Sequence, residues 1–344
     1  MRVKRHNSLT LIFTTFIFSI SSVVLWSQIK KHKTNNTETS KTIEAQPLNI
    51  CETETQRLEG FKFVKPLMFN YKTCESGKYN KLKTSILDLI NQRQQTGRLD
   101  KISIYLKLLN NREFIGINEN EMFHPGSLIK LPLLITFLKM EELSPGTLNK
   151  QVVFNLPQGG VPHQTYNTIH IEPEKSYTIK DLLKYMIAYS DNNATYLLNN
   201  CVDISEFKKT FSDFGLVVPD VTDRNYKISA KEYSVFLNVL YNAGYLTITD
   251  SEFATELLNK CNFKEGIQRG IPPQNDIVHK FGEWGDVNNH NIHQLSESGI
   301  IYLDKCPYIL TIMTQGKEIT YLPTVLSDIS KIIYDYLKIE AYNL

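Results

Sequence analysis

Strand patterns lie at opposite ends of this chain with a long helical stretch between them, and that separation limits the folds open to it. Near the front, Ile102, Ile104, Leu106 and Leu108 alternate with other residues, as a half-buried strand requires. Asn110-Asn111 follows, a pair that tolerates the left-handed geometry of a tight turn, and residues 112–117 read as a return strand. Far downstream, residues 276–283, 294–303 and 307–315 carry β-branched and aromatic residues broken by Gly and Pro. A two-stranded ribbon is rarely stable alone, so strands from both ends must share one sheet. The stretch from about 120 to 275 is then an insertion packed beside that sheet, and a crevice between the two lobes is a natural place for a site.

Helical spacing fills the rest. Leu82, Ile86, Leu89 and Ile90 form one apolar stripe before the first strand. Ile179, Leu182, Leu183, Met186 and Ile187 form another, with Thr178 as N-cap and Asp181 at the capping-box position. A last helix presents Val325, Leu326, Ile329, Ile332, Ile333, Tyr336 and Leu337 on one face. With 344 residues and 42% hydrophobic composition there is ample core for an α/β (α+β) domain over 77–340. A net charge of +2 gives no bulk electrostatic case for nucleic acid as a partner. No internal repeat is visible.

The N-terminus is different in kind. A short basic segment (1–8) with Arg2, Lys4 and Arg5 precedes an uncharged run from Leu9 to Trp26, and Lys30, Lys31 and Lys33 follow. The run is near the lower limit of about 17 residues for a spanning helix, longer than a usual signal-peptide core, and lacks an A-x-A-like cleavage site. It reads as a transmembrane signal anchor over 9–26; a cleaved signal peptide would also export the domain. Basic residues flank both sides, so they do not orient it. Residues 27–76 read as a polar tether and lead-in. The five cysteines form no C-x-x-C pair, which argues against a zinc or thioredoxin-type site. Cys51 with Cys74, or Cys201 with Cys261, could bridge outside the cytosol.

Three short stretches carry the chemistry. In "FHPGSLIKLPLLITF", from Phe123, the Pro125-Gly126 breaker places Ser127 at a helix N-terminus, where free N–H groups favour developing negative charge. Lys130 lies one turn on, along the same face. A serine hydroxyl needs a base to become a nucleophile, and a lysine amine kept neutral by burial or a nearby cation can be that base. Pro132 is tolerated because it falls in the first turn. Ser190-Asp191-Asn192 follows the Thr178 helix, and Lys280-Phe281-Gly282 lies on a predicted strand. Each stretch alone is ordinary: an N-capped core helix, a turn, and a strand with a surface lysine.

In this order, Ser127-Leu128-Ile129-Lys130, Ser190-Asp191-Asn192 and Lys280-Phe281-Gly282 resemble the S-x-x-K, S-D-N and K-T-G signature of the penicillin-recognising serine hydrolases, specifically the class A β-lactamase-like family. The resemblance spans about residues 77–340. It implies a β-lactamase/transpeptidase-like fold, an antiparallel sheet flanked by helices with an inserted all-helical lobe, and no cofactor or metal. It also implies roles. Ser127 would be the acylated nucleophile, Lys130 its base, and Ser190 the proton relay to the leaving nitrogen. Asn192 would hold the substrate amide. Lys280 would neutralise the substrate carboxylate and help keep Lys130 deprotonated. Gly282 would line the strand edge, and the backbone N–H groups of Ser127 and Glu283 would form the oxyanion hole.

Two departures qualify the resemblance. Phe281 replaces the threonine or serine of K-T-G, which removes a hydroxyl expected to bond the substrate carboxylate. The E-x-x-L-N stretch, whose glutamate activates the deacylating water in class A enzymes, is missing between Asn192 and Lys280; "FGLVVPDVTDRNYKISAKEY" reads as a shortened loop in which Asp220 or Asp223 is the substitute on offer. The expected function is a membrane-anchored, extracytoplasmic serine hydrolase acting on peptidoglycan-type peptides or β-lactams with slow deacylation. The alternatives are a true β-lactamase and a non-catalytic wall-binding protein.

Overall fold

The computed structural model describes residues 51–342 apart from 156–163, 168, 221–224, 287–288 and 290. The anchor expected over 9–26 lies outside these residues, and none of the described helices is long and apolar enough to cross a membrane. The folded chain starts earlier than the sequence pattern suggests. Strands β1 (Thr53–Arg57) and β2 (Leu67–Lys72) form an antiparallel hairpin inside the expected lead-in. A Cys51–Cys74 disulfide closes it, and Met68 and Phe69 are buried in the core. Cys201, Cys261 and Cys306 are free thiols. The hairpin escaped notice because its core contribution is two residues, too few to set a period.

Helix α1 (Asn80–Gln95) follows and buries Leu82, Ile86 and Ile90, four residues apart on one face. Then come β3 (Leu99–Leu108) and β4 (Phe114–Ile117). The expected union of chain ends is present: in the five-stranded antiparallel sheet β4-β3-β11-β10-β9, Ile104 on β3 pairs with Ile312 on β11. Strands β9 (Ile277–Gly285), β10 (His293–Ile301) and β11 (Tyr308–Gly316) make a meander, with β9 at the edge. Side chains alternate between two cores. Ile104, Leu106, Phe281 and Leu295 face α1 and the C-terminal α8 (Leu322–Tyr342); Tyr105, Val278, Ile300 and Met313 face the helical lobe. Burial on both faces explains why these strands read as nearly continuous apolar runs.

The lobe is built on α2 (Lys130–Leu143), which buries every residue from Lys130 to Leu138. A helix that is apolar all round belongs in the centre of a core. Around it stand α3 (Ile179–Ala188), α4 (Asn192–Asn199), α5 (Ile204–Asp213), α6 (Ala230–Tyr241) and α7 (Ile248–Asn259). Two small ladders stitch the lobe together: β5 (Met122–Phe123) with β8 (Ile228–Ser229), and β6 (Gln151–Val153) with β7 (Ser176–Thr178). The Thr178–Asp181 capping box is formed as expected and fixes where α3 begins, about three turns of helix before Ser190.

Candidate active site

Ser127 lies in a 3-10 turn, Gly126–Ile129, that runs straight into α2. The turn is pressed against the outer edge of β9, and two glycines make this possible. A Cβ on Gly282 would stand 2.3 Å from Pro125 O and 2.9 Å from Ser127 N. A Cβ on Gly126, whose φ is +50°, would stand 2.3 Å from Glu283 O and 3.2 Å from Glu283 N. Bare backbone on both sides thus brings the amides of Ser127 and Glu283 into one neighbourhood. The His124 and Trp284 rings stack at 4.0 Å, a second tie between the turn and the strand.

The three motifs converge here. Lys130, 2% exposed at the start of α2, donates to Ser190 O at 2.6 Å and to Asn192 Oδ1 at 2.8 Å, with Ser190 Oγ at 3.3 Å. Lys280 is fully buried on β9 and donates to Ser190 Oγ and Phe281 O, both at 2.9 Å. Ser190 reaches this position with φ +56°, a left-handed conformation that a non-glycine residue adopts at a cost, and such strain persists where the surroundings enforce it. Asp191 enforces it. Its buried carboxylate caps α4 through Asn193 N at 3.0 Å, accepts from Ile171 N at 2.9 Å, and meets His170 Nδ1 at 2.9 Å. Burial, and after it the Lys280 ammonium, pull the Lys130 amine well below its ordinary pKa. Burial pulls Lys280 down to about 8. A neutral Lys130 has two hydrogens to give. The two carbonyl oxygens take both, and the lone pair is left for a hydroxyl.

Phe281 differs from expectation. Its ring is fully buried, stacked on Phe263 at 4.4 Å and meeting Tyr166 edge-on at 6.2 Å, with Lys280 Nζ over its face at 4.3 Å. The position serves the core, and no hydroxyl stands there. Sequence reasoning also missed the wall opposite β9. Gln164 donates to Ser190 O at 2.6 Å and accepts from Asn192 N at 3.3 Å, holding the S-D-N turn. Thr165 N donates to both carboxylate oxygens of Glu283, at 2.9 and 3.1 Å. Gln164 and Thr165 sit in an irregular stretch with no periodicity, so nothing in the sequence singles them out.

Beside Gly126 opens a cavity of about 550 Å³, lined by Ile129, Leu133, Val202, Ile204, Phe207 and Tyr226 among others. Asp220, one of the two candidate substitutes for the missing glutamate, is on its wall. Asp223, the other, lies outside the described residues. Among the described residues there is no cluster of His, Cys, Asp and Glu suited to holding a metal ion.

The comparisons with known proteins bear on family and fold. The profile of the "Beta-lactamase enzyme family" matches residues 81–337, and the chain belongs to that family. A β-lactamase of Phocaeicola vulgatus is 23% identical over 209 residues, a match that takes in 54% of this chain and 63% of that protein, so less than two thirds of the relative's length is represented. Among solved structures, a β-lactamase from Chitinophaga pinensis is similar with a TM-score of 0.64 at 15% identity, covering 75% of this chain and all (100%) of that one. PBP-A is similar with a TM-score of 0.62 at 16% identity, covering 75% of this chain and 96% of that one. At such identities these structures speak to the fold: a mixed α/β, β-lactamase/transpeptidase-like architecture.

Proposed function

We propose that the protein is a serine acyl-transfer enzyme that forms an ester at Ser127 and acts on peptidoglycan-type peptides, with β-lactams as slowly released acylating agents. The observation that carries this reading is the meeting of Lys130, Ser190, Asn192 and Lys280 at hydrogen-bond distance, with Ser127 in the turn that leads into Lys130 and its backbone N against Gly282. In the proposed cycle the neutral Lys130 amine takes the Ser127 proton as Oγ attacks the carbonyl carbon. The oxyanion develops between the amides of Ser127 and Glu283, where aligned N–H donors stabilise it most. Lys130 passes its proton through Ser190 Oγ to the leaving nitrogen, and Lys280 keeps that hydroxyl oriented and polarised. Asn192 receives the acyl-side amide. A non-catalytic wall-binding role is disfavoured by two buried lysines, because an ammonium without work to do is costly to keep out of water.

The domain is proposed to act outside the membrane, anchored by residues 9–26. The Cys51–Cys74 disulfide supports an oxidising compartment. Efficient β-lactamase turnover is disfavoured by the absence of an E-x-x-L-N glutamate between Asn192 and Lys280. A variant of the similar PBP-A is described as an acyl-enzyme with penicillin G, so this fold can hold such an ester. The test is intact-protein mass measured after exposure to a reporter penicillin and to an acyl-peptide thioester. One acyl group per chain is expected, lost in Ser127→Ala. Equal labelling of that variant would remove Ser127 from the role.

A further inference from the structure

Glu283 does more than lend a backbone amide. Its side chain leaves the β9 edge and reaches the opposite wall, where both oxygens accept from Thr165 N at 2.9 and 3.1 Å. The two ends of this contact belong to the two sides of the groove. Glu283 follows Gly282, whose α-carbon abuts the Ser127 turn. Thr165 follows Gln164, which is bonded to Ser190 and Asn192. An acyl donor lying between β9 and the S-D-N turn, with its carbonyl at Ser127, must pass this contact. The groove therefore holds a carboxylate of the protein beside the one buried ammonium, Lys280, that would otherwise draw an anionic substrate inward. Opposite charges so close offset each other toward a third charge, and a like charge in the groove costs more than in open water. The K-x-G position adds no compensating donor, since Phe281 has no hydroxyl and its ring lies against Lys280 Nζ at 4.3 Å.

We propose that the Glu283 carboxylate is a specificity-determining latch that bridges β9 to Thr165 across the groove and selects acyl donors whose leaving group is uncharged or cationic over those bearing a carboxylate. The inference rests on the reading of Ser127 as the acylated nucleophile. It narrows the substrate class to acyl peptides whose leaving end is an amide, an amine or a cross-linked side chain, in preference to a free terminal carboxylate.

The test uses two acyl-peptide thioesters identical except that the leaving thiol ends in a carboxylate in one and a primary carboxamide in the other. Thiol release gives kcat/KM for each, in the unaltered protein, in Glu283→Gln and in Glu283→Asp, with thermal midpoints to show that the variants are folded. The unaltered protein should prefer the carboxamide. Glu283→Gln, which removes the charge and keeps the shape, should lower the carboxamide-to-carboxylate ratio by about tenfold, the scale of one unit charge partly screened. Glu283→Asp keeps the charge but is too short to reach Thr165, and should leave the ratio near its starting value while changing both rates together. A preference for the carboxylate in the unaltered protein, or a ratio that Glu283→Gln leaves untouched, would overturn the latch and spare the Ser127 reading. Thiol release that is no faster than in Ser127→Ala with either probe, in all three proteins, would sink the Ser127 reading and the latch with it.

Discussion

Ser190 Oγ accepts from Lys280 Nζ at 2.9 Å and lies 3.3 Å from Lys130 Nζ, so one hydroxyl joins two buried lysines. The pair cannot both be ammonium without strong repulsion in a dry site, and the two environments divide the roles. Lys130 is the one pulled well below its ordinary value, by burial and by Lys280; Lys280 is lowered by burial to about 8. The base is therefore neutral while its neighbour still carries a proton.

A pH profile follows. Acylation needs neutral Lys130 and protonated Lys280. The rate should rise as Lys130 loses its proton and fall as pH passes about 8, where Lys280 loses its own. Lys280→Arg keeps the charge at all accessible pH and should move the falling limb above about pH 10, at a lower plateau because the guanidinium is larger. Acylation kcat/KM measured from about pH 6 to 10 reads both limbs. A rate that climbs without a falling limb through pH 10 would exclude Lys280 as the required ammonium.

Ser190 separates stability from activity. Its φ of +56° is a conformation that glycine adopts freely. Ser190→Gly should keep stability, or raise it by up to about 1 kcal/mol, whereas Ser190→Ala should not gain. Both should lower acylation by about 100-fold, since both delete the relay hydroxyl. Thermal midpoints and acylation rates of the two variants check this. Full activity in either one would show that the hydroxyl is dispensable.

Phe281→Thr tests how the K-x-G position is used. From the sequence alone, threonine there would restore a hydroxyl near the substrate. In the structure the ring fills the space between Phe263 and Tyr166 and lies under Lys280 Nζ at 4.3 Å. Replacing it should cost about 3–5 kcal/mol in lost burial and cavity formation, without speeding acylation. Chemical denaturation and acylation rates together decide it. Faster acylation in a variant of unchanged stability would mean that the strand presents this side chain to the groove.

What was legible in the sequence and what was not divides along one line. Ser127, Lys130, Ser190, Asn192, Lys280 and Gly282 were found because each belongs to a short run with fixed spacing, and the sheet was found because β3 and β9 to β11 have strong local patterns. The packing of Phe281 against Phe263 and Tyr166 was not legible, because those partners come from separate parts of the chain. Thr165 and the side-chain role of Glu283 depend on a contact across 118 residues, and Gln164 on contacts across 26 and 28. Such contacts leave no periodic trace.

Behind the active-site strand a second buried pair fixes β9. His279 Nδ1 meets Glu297 Oε1 at 2.6 Å, both fully buried, and Glu297 Oε2 accepts from Ile267 N at 2.7 Å. Burial alone would pull the imidazole down; the adjoining Cys261 and the Glu297 carboxylate outweigh it and raise His279 to about 10. A group whose folded pKa lies above its unfolded value binds more protons in the folded state between the two. Its contribution is complete below about 6.5 and is lost as pH rises through about 10. Glu297→Gln should cost about 3–5 kcal/mol near neutral pH and flatten the decline of stability between about pH 7 and 10. Urea unfolding across that range measures it. Parallel stability curves for the two proteins would mean that the pair does not titrate on unfolding.

The lifetime of the acyl-enzyme is the last prediction, and the cavity beside Gly126 decides it. Hydrolysis of an ester at Ser127 requires a water held by two or more polar partners and a base within hydrogen-bond reach. The cavity is large enough for water, at about 550 Å³, and Thr195, Asn199 and Tyr226 on its wall could hold one, but of the lining residues only Asp220 is a carboxylate that could activate it. Asp220 is on the wall, on the chain segment that replaces the longer glutamate-bearing loop. If it served as the base, removing its charge would slow release by a factor of about 100 or more. The missing E-x-x-L-N glutamate argues for the opposite outcome: a β-lactam adduct on the unaltered protein that persists for minutes or longer, and an adduct on Asp220→Asn whose lifetime is the same within about threefold, well under the effect of losing a general base. Intact mass followed over time after removal of free β-lactam reads both lifetimes. Rapid multiple turnover by the unaltered protein, abolished in Asp220→Asn, would establish Asp220 as the activating carboxylate and make the protein a working β-lactamase.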